Sequence, residues 1–334
     1  MLETVDGVDK SFSRRLALNH AILKNKYWIL PVDNRGHENY MPVGRGAVTS
    51  VMCGLFTGFN ACTNVEGHKD VVIDGVDCTG KYILILRHLW CHKAECPVCF
   101  NRGFAVRGAR SIESRVLTAE KRGLGSAEHI TVSVPVADRE LPVSVQRARA
   151  LKALVDRGIT WGCEIFHGFR ADRASQTLKW STHFHTLSHV PALQKCRECQ
   201  KACSQNKGCG GFVDLNYRCT EKDGYIVKVH AKRKTIFGTA FYELNHATVH
   251  VGLKRSHITT WFGLLSTRNF RTERRMSENL CPVCREGTKR HFYVGTVYIP
   301  KKVGDQLYRP WVAVDPLDED GKPTVIKVVG SRNG

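Results

Sequence analysis

The sequence has few acidic residues for its length and lacks any long apolar run. Of its 334 residues, 31 are Asp or Glu and 50 are Lys or Arg, so the formal net charge at pH 7 is +19. No run approaches the roughly 20 apolar residues of a transmembrane helix, and the N-terminal residues mix charged and apolar side chains, unlike a signal peptide. These features predict a cytoplasmic, intracellular protein with no membrane partner. The positive field predicts a polyanionic partner, with nucleic acid as the first candidate.

Motifs of several enzyme classes are also missing. The chain has no Gly-x4-Gly-Lys-Ser/Thr phosphate loop, no Rossmann glycine fingerprint and no Gly-x-Ser-x-Gly nucleophile elbow. An attached P-loop helicase is therefore not expected.

Cysteine, by contrast, is abundant. There are 14 cysteines, and many lie in pairs separated by two residues. In a chain without a secretory signal, this spacing favours zinc over disulfides. The densest group predicts a closed structural zinc site in a short insertion. Its members are Cys196, Cys199, Cys203 and Cys209, and Cys219 is an alternative to any one of them.

The remaining cysteines predict further zinc sites but leave the pairing of their ligands open. Cys281 and Cys284 cannot close a tetrahedral site alone, and Cys96 with Cys99 is one pair that could complete it. Cys163 is interpreted as a lone core cysteine. The other candidate ligands precede residue 100 and are Cys53, Cys62, His68, Cys78, Cys91, Cys96 and Cys99.

Hydrophobic periodicity predicts an α+β fold for residues 126–268. The predicted strands cover residues 129–136, 160–169, 179–187, 224–230 and 257–265, and the predicted helices cover residues 143–155 and 235–250. In their chain order, with the Cys-rich insertion at 196–219, these elements can form one antiparallel sheet backed by helices. The flanking segments are predicted as a zinc-binding region, 1–125, and a basic C-terminal region, 269–334.

Two histidines on one predicted strand point to a metal ion. Side chains two residues apart on a strand share a face, so His183 and His185 can both reach one divalent cation while Phe184 packs on the other side. A third ligand can come from the preceding strand or from the turn. The candidates, in order of preference, are His167, Glu164 and Asp172.

Seven short stretches occur in an informative order. They are CGLFTGFNACTNVEGHK (53–69), CHKAECPVC (91–99), IFHGFR (165–170), STHFHTL (181–187), TAFYELNHA (239–247), WFGLLS (261–266) and CPVC (281–284). This order resembles the HUH endonucleases, and more closely the archaeal rolling-circle replication initiators of plasmids and viruses. The resemblance covers residues 53–284.

The resemblance implies an RRM-like HUH nuclease core and a defined reaction. In such enzymes a His-bound Mg²⁺ or Mn²⁺ polarises a phosphate of single-stranded origin DNA. A tyrosine attacks that phosphate, which leaves a 5′-phosphotyrosine and a free 3′-hydroxyl, and the enzyme later rejoins the ends. The implied partners are single-stranded DNA and a separately encoded helicase and polymerase.

The tyrosine that the resemblance implies is Tyr242. His246, one helical turn later, could accept the phenol proton. Many such initiators have a lysine three residues after the tyrosine, and here that residue is Asn245. Tyr225 with Lys228 is a rival pair, but on a strand these two side chains would point to opposite faces. Tyr242 is therefore the preferred nucleophile.

Basic side chains flank the predicted active strands and suit DNA phosphates. The candidates are Arg170, Lys179, Lys228 and Arg233. Two alternative functions stay open: an HUH-type transposase with the same chemistry, and a zinc-rich nucleic-acid-binding regulator without catalysis.

Overall fold

The computed structural model describes most of the chain between residues 30 and 292, with gaps. The described residues are 4–5, 8–9, 30–33, 37–47, 50–73, 76–190, 224–230, 235–252, 258–266, 268, 270–272, 280–292 and 311–314. They belong to two compact units. The first lies within Met1–Lys24, Thr49–Cys91 and Arg274–Gly334, and the second within Asn25–Val48 and His92–Glu273. This division differs from the three predicted regions, because residues 92–125 fall in the second unit.

Sixteen strands and three α-helices are described. The strands are β1 (Thr4–Val5), β2 (Val8–Asp9), β3 (Val32–Asp33), β4 (Tyr40–Pro42), β5 (Phe56–Cys62), β6 (Val72–Ile73), β7 (Val76–Asp77), β8 (Tyr82–His88), β9 (Ala127–Ser133), β10 (Trp161–Asp172), β11 (Thr177–His189), β12 (Ile226–Val229), β13 (Thr248–His250), β14 (Thr259–Gly263), β15 (Lys289–Phe292) and β16 (Trp311–Val314). The helices are α1 (Val106–Lys121), α2 (Val143–Val155) and α3 (Ile236–Asn245). Single turns of other helix types cover Glu66–His68, Phe100–Ala105 and Val136–Asp138.

The second unit is built on a mainly antiparallel sheet. Its strand order is β12-β9-β11-β10-β14, and β3 adds a short parallel pair to β11. The central strand β11 pairs antiparallel with both β9 and β10. The predicted α+β architecture with an antiparallel sheet is confirmed.

One face of this sheet is apolar and packs on α2. Phe166 and Phe184 lie directly opposite each other on β10 and β11, and they share a buried core with Ala150 and Leu154 of α2. Because successive side chains on a strand alternate between faces, the residues on either side of Phe184 must lie on the other face. That face therefore carries His183 and His185.

Helix α3 lies against the histidine-bearing face. Its N-terminus is capped by the Thr235 hydroxyl, which accepts a hydrogen bond from the amide of Gly238 at 2.9 Å. It packs closely on α1, where a Cβ at Gly108 would lie 2.7 Å from Leu244 Cδ1.

Helix α3 ends five residues before its predicted end. Residues Thr248–His250 form β13, which pairs with β4. The β-branched Thr248 and Val249 favour this strand over a continued helix. The helix prediction for residues 246–250 is therefore wrong.

The first unit contains a four-stranded sheet with the order β15-β5-β8-β16. Its small core includes Ile83 together with three buried cysteines, which are Cys62, Cys78 and Cys281. In neither unit does a described helix have the length and apolar character needed to cross a membrane.

Candidate metal centre

Three histidines meet on the polar face of the second unit's sheet. His183 and His185 project from β11, and His167 of β10 lies directly opposite His183. One ligand nitrogen from each ring lies within 4.8 Å of the others, and the ring centroids of His167 and His185 are 4.3 Å apart. The predicted pair and the preferred third ligand therefore converge, and they could hold a metal ion.

These three imidazoles are held in their neutral form. Burial lowers the pKa of His167 well below its usual value, and His183 lowers it further. Burial likewise lowers the pKa of His183, with His185 as the next cause. Burial and then His167 lower the pKa of His185. Because a neutral imidazole keeps one nitrogen lone pair, each ring can act as a metal ligand.

The hydrogen bonds around the three rings leave nitrogens available to a cation. His183 Nδ1 lies 2.9 Å from the Ser181 carbonyl oxygen and 3.3 Å from Arg170 Nε, so Nε2 is the nitrogen of this ring that can face a cation. His167 Nε2 is buried and has no hydrogen-bond partner among the described residues. A buried nitrogen without a partner is costly, and a cation would satisfy it. The residues present therefore fit a divalent metal.

Glu164, the second candidate for the third ligand, lies on the other face of the sheet. It is three residues from His167, it pairs with Thr186, and it accepts a hydrogen bond from Arg147 Nε at 3.1 Å. Burial raises the pKa of Glu164 to about 8, although Arg147 acts in the opposite direction. The prediction of Glu164 as a ligand is wrong, because strand alternation directs it into the apolar core beside α2.

Asp172, the weakest candidate, is also remote from the centre. It ends β10, five residues beyond His167, which is roughly 16 Å along a strand. Its carboxylate forms an ion pair with Lys179, and this lysine is the main cause that lowers the pKa of Asp172 to about 2.

A carboxylate that the sequence analysis missed reaches the histidines from α3. Glu243 is fully buried, and its Oε1 lies 3.2 Å from His129 Nε2. The same His129 nitrogen lies 2.7 Å from His185 Nδ1. Glu243, His129 and His185 therefore form a second group that could hold a metal. Two features of the sequence could have identified these residues. His129 lies on a predicted strand, and Glu243 directly follows Tyr242.

Tyr242 lies on α3 beside this centre. Its side chain is 40% exposed, and its ring centroid is 4.5 Å from that of His246. After burial and His183, His246 is the next group that lowers the pKa of His167, so the His246 ring lies near His167. The Asn245 side chain hydrogen-bonds within its own helix: its Nδ2 donates to the Phe241 carbonyl oxygen at 2.9 Å.

The rival Tyr225 lies on the opposite face of the sheet. It belongs to the apolar core with Phe184, and its hydroxyl donates to Asp138 Oδ2 at 2.9 Å. Burial and then Asp138 raise the pKa of Tyr225, which makes it harder to form a phenolate. Lys228 sits opposite Thr131 in the strand register, on the histidine side.

Arg170, one of the predicted DNA-binding residues, contacts the centre. Its Nη2 donates to Ser133 Oγ at 3.0 Å, and its Nε lies 3.3 Å from His183 Nδ1. It is exposed, so its guanidinium can also meet a phosphate. The charge of Lys179, in contrast, is paired with Asp172. Arg233 lies outside the described residues.

Within the first unit, a group of three cysteines and one histidine could hold zinc. The group consists of Cys62, His68, Cys281 and Cys284, whose ligand atoms lie within 4.8 Å of one another. The pairing of Cys96 and Cys99 with Cys281 and Cys284, considered from the sequence, is therefore wrong. The predicted group Cys196, Cys199, Cys203 and Cys209, with Cys219, lies outside the described residues.

Two cysteines stand apart from these groups. Cys78 is buried, and its Sγ donates to the Val76 carbonyl oxygen at 3.6 Å. Cys163 is fully buried on β10, which agrees with its interpretation as a core residue.

The chain matches no protein-family model, no curated protein and no solved structure.

Proposed function

We propose that the chain is a metal-dependent endonuclease and strand transferase that nicks and rejoins single-stranded origin DNA in rolling-circle replication. The observation that carries this proposal is the convergence of three neutral imidazoles, of which His167 and His183 are buried, beside the helix of Tyr242. One of them, His167, keeps a buried nitrogen with no partner among the described residues. A regulator without catalysis would not need a cation site next to an exposed phenol.

The ligands in this proposal are His167, His183 and His185. When bound, Mg²⁺ or Mn²⁺ acts as a Lewis acid on a non-bridging oxygen of the scissile phosphate. Imidazoles alone favour zinc and other transition metals, whereas Mg²⁺ and Mn²⁺ prefer oxygen ligands. Glu243 supplies such an oxygen on the same face of the sheet, where its carboxylate lies close to His129.

Tyr242 is the proposed nucleophile. Its phenolic oxygen attacks phosphorus, and the bond from phosphorus to the 3′-oxygen breaks. The 3′-oxygen leaves as a hydroxyl after taking up a proton, while the 5′ end stays attached to the tyrosine. Attack by a 3′-hydroxyl on the phosphotyrosine reverses the step and rejoins DNA without ATP.

His246 is placed to accept the proton of the phenol. An ordinary tyrosine has a pKa of about 10, so it needs a nearby acceptor to become a nucleophile at neutral pH. The His246 ring is the neighbour of the Tyr242 ring. His246 Nδ1 lies 2.7 Å from the Tyr242 carbonyl oxygen, which leaves Nε2 as the acceptor.

The surroundings support an anionic, single-stranded substrate. Arg170 can bind the phosphate next to the scissile one, and Lys228 lies on the same face. The free 3′-hydroxyl would be extended by a separately encoded polymerase, and strand separation would need a separately encoded helicase. The grouped, reduced cysteines support structural zinc and a reducing compartment such as the cytoplasm.

The test is the capture of a covalent protein–DNA adduct. The full chain is incubated with Mn²⁺ and a random-sequence pool of single-stranded DNA, labelled at either the 3′ or the 5′ end, and is then denatured. We expect 3′-labelled DNA to stay on the protein and 5′-labelled fragments to be released. The absence of any adduct from the folded wild-type chain would contradict the proposal.

Variants with matched controls test the roles of Tyr242 as the nucleophile and of His183 as a metal ligand. Tyr242→Phe should lose the adduct, while Tyr225→Phe should retain it. His183→Ala should lose cleavage and keep its zinc content. An adduct mapped to any tyrosine other than Tyr242 would overturn the nucleophile and leave the enzyme class intact.

A further inference from the structure

We propose that the first unit binds one structural zinc ion through three thiolates and one imidazole. The ligand atoms are Cys62 Sγ, His68 Nε2, Cys281 Sγ and Cys284 Sγ. The proposal concerns the first unit alone and does not depend on nuclease activity in the second.

The distances between the ligand atoms match those of a tetrahedral zinc site. With Zn–S near 2.3 Å and Zn–N near 2.0–2.1 Å, tetrahedral angles place two sulfurs about 3.8 Å apart and a sulfur and a nitrogen about 3.6 Å apart. The Sγ atoms of Cys62 and Cys284 are 3.6 Å apart, and Cys281 Sγ lies 3.4 Å from His68 Nε2. The sulfur–sulfur distance is far longer than the roughly 2.05 Å of a disulfide.

Hydrogen bonds around the ligands orient them for a metal. His68 Nδ1 lies 2.7 Å from the Lys81 carbonyl oxygen. This oxygen accepts the ring N–H, so the lone pair stays on Nε2, the nitrogen next to Cys281. The backbone amide of Val283 donates to Cys281 Sγ at 3.4 Å, as suits a sulfur that carries negative charge.

The loops that carry the ligands are in close contact. A Cβ at Gly67 would lie 2.9 Å from Cys284 Cβ and 2.5 Å from Asn64 Nδ2. Asn64 bridges the two loops, since its Oδ1 accepts from the Gly67 amide at 2.9 Å and its Nδ2 donates to Glu286 Oε1 at 2.6 Å. The site is therefore assembled by packing and hydrogen bonds as well as by the ligands themselves.

The ion would join two segments that are distant in sequence. Cys62 is the last residue of β5, while Cys281 and Cys284 precede β15, and β15 pairs with β5 over only four residues. Such a short outer strand contributes few hydrogen bonds of its own, so the free energy of zinc binding would add to the folding free energy that holds the two segments together. We therefore assign to the ion the role of fixing β15 on β5.

The experiment counts zinc in the purified full chain. Cys281→Ser and His68→Ala should each contain one zinc ion fewer than the wild type. Cys78→Ser is the matched control, because Cys78 is buried in the same core and is not in the group, and it should keep the wild-type zinc content. A wild-type zinc content in Cys281→Ser, or an equal loss in Cys78→Ser, would overturn the assignment.

A conservative variant covers the case in which Cys281→Ser does not fold. His68→Cys should keep the wild-type metal count, and after exchange into Co²⁺ its sulfur-to-cobalt charge-transfer absorption should exceed that of the wild type by one thiolate. If this absorption equals that of the wild type, His68 is not a ligand and the proposed set is wrong.

Discussion

Glu164→Gln should remove a pH dependence from the stability of the second unit. Burial raises the pKa of Glu164 from 4.5 to about 8. As the pH rises, the Glu164 carboxyl therefore loses its proton at a lower pH in the unfolded chain than in the folded chain. The stability associated with the buried acid is fully present below pH 4.5 and is lost as the pH rises to about 8. Since one pKa unit corresponds to about 1.4 kcal/mol, the full loss is about 5 kcal/mol.

The three histidines make the stability depend on pH in the opposite direction. They therefore limit the pH range in which the effect of Glu164 can be measured by itself. Burial lowers the pKa values of His167, His183 and His185 well below 6.5. Their contribution is present above pH 6.5 and is lost as the pH falls toward the lowered values. Between pH 6.5 and 8 their effect is complete, and Glu164 alone should lower the free energy of unfolding by about 2 kcal/mol.

The assay is urea unfolding followed by tryptophan fluorescence between pH 6.5 and 8.5. The wild type should lose stability over this range relative to Glu164→Gln. Glu140→Gln, which changes an exposed carboxylate of the same unit, should follow the wild type. A constant difference between the wild type and Glu164→Gln over the whole range would refute the reasoning.

Three further predictions test the centres. Glu243→Gln should weaken Mn²⁺ binding, measured by calorimetry, at least about 10-fold, because a neutral amide replaces a buried anionic oxygen beside His129. An unchanged Mn²⁺ affinity would exclude Glu243 from the centre. Arg170→Ala should weaken single-stranded DNA binding and reduce the slope of log affinity against log salt by about one, whereas an unchanged slope would show that Arg170 contacts no phosphate. Gly67→Ala should speed zinc release to a chelator, because the added Cβ would lie 2.9 Å from Cys284 Cβ, and a wild-type release rate would contradict this.

Most elements of the second unit could be predicted from local patterns. Helix α2 has the predicted bounds, 143–155. The ends of β10 and β11 lie within three residues of the predicted ends. These elements carry strong hydrophobic periodicity, which depends only on the local sequence. The end of α3 was missed, because the pairing of β13 with β4 is a long-range contact.

The same local reasoning separated the proposed nucleophile, Tyr242, from its rival, Tyr225. Tyr225 was assigned to a strand and Tyr242 to a helix; Tyr242 lies in α3, whereas Tyr225 directly precedes β12. What the strand pattern could not supply was the Tyr225 hydrogen bond to Asp138, because these residues are far apart in the chain.

The sequence by itself determined the chemistry of the ligands and the shared face of His183 and His185. The two-residue period of a strand is local, so it needs no knowledge of the fold. Tertiary structure alone decided which carboxylate joins the histidines, because strand register directs Glu164 into the core and helix packing brings Glu243 to His129. It also decided the grouping of Cys62 with Cys284, which are 222 residues apart in the chain. Cysteine spacing identifies candidate zinc ligands, but only the folded chain determines which distant candidates meet.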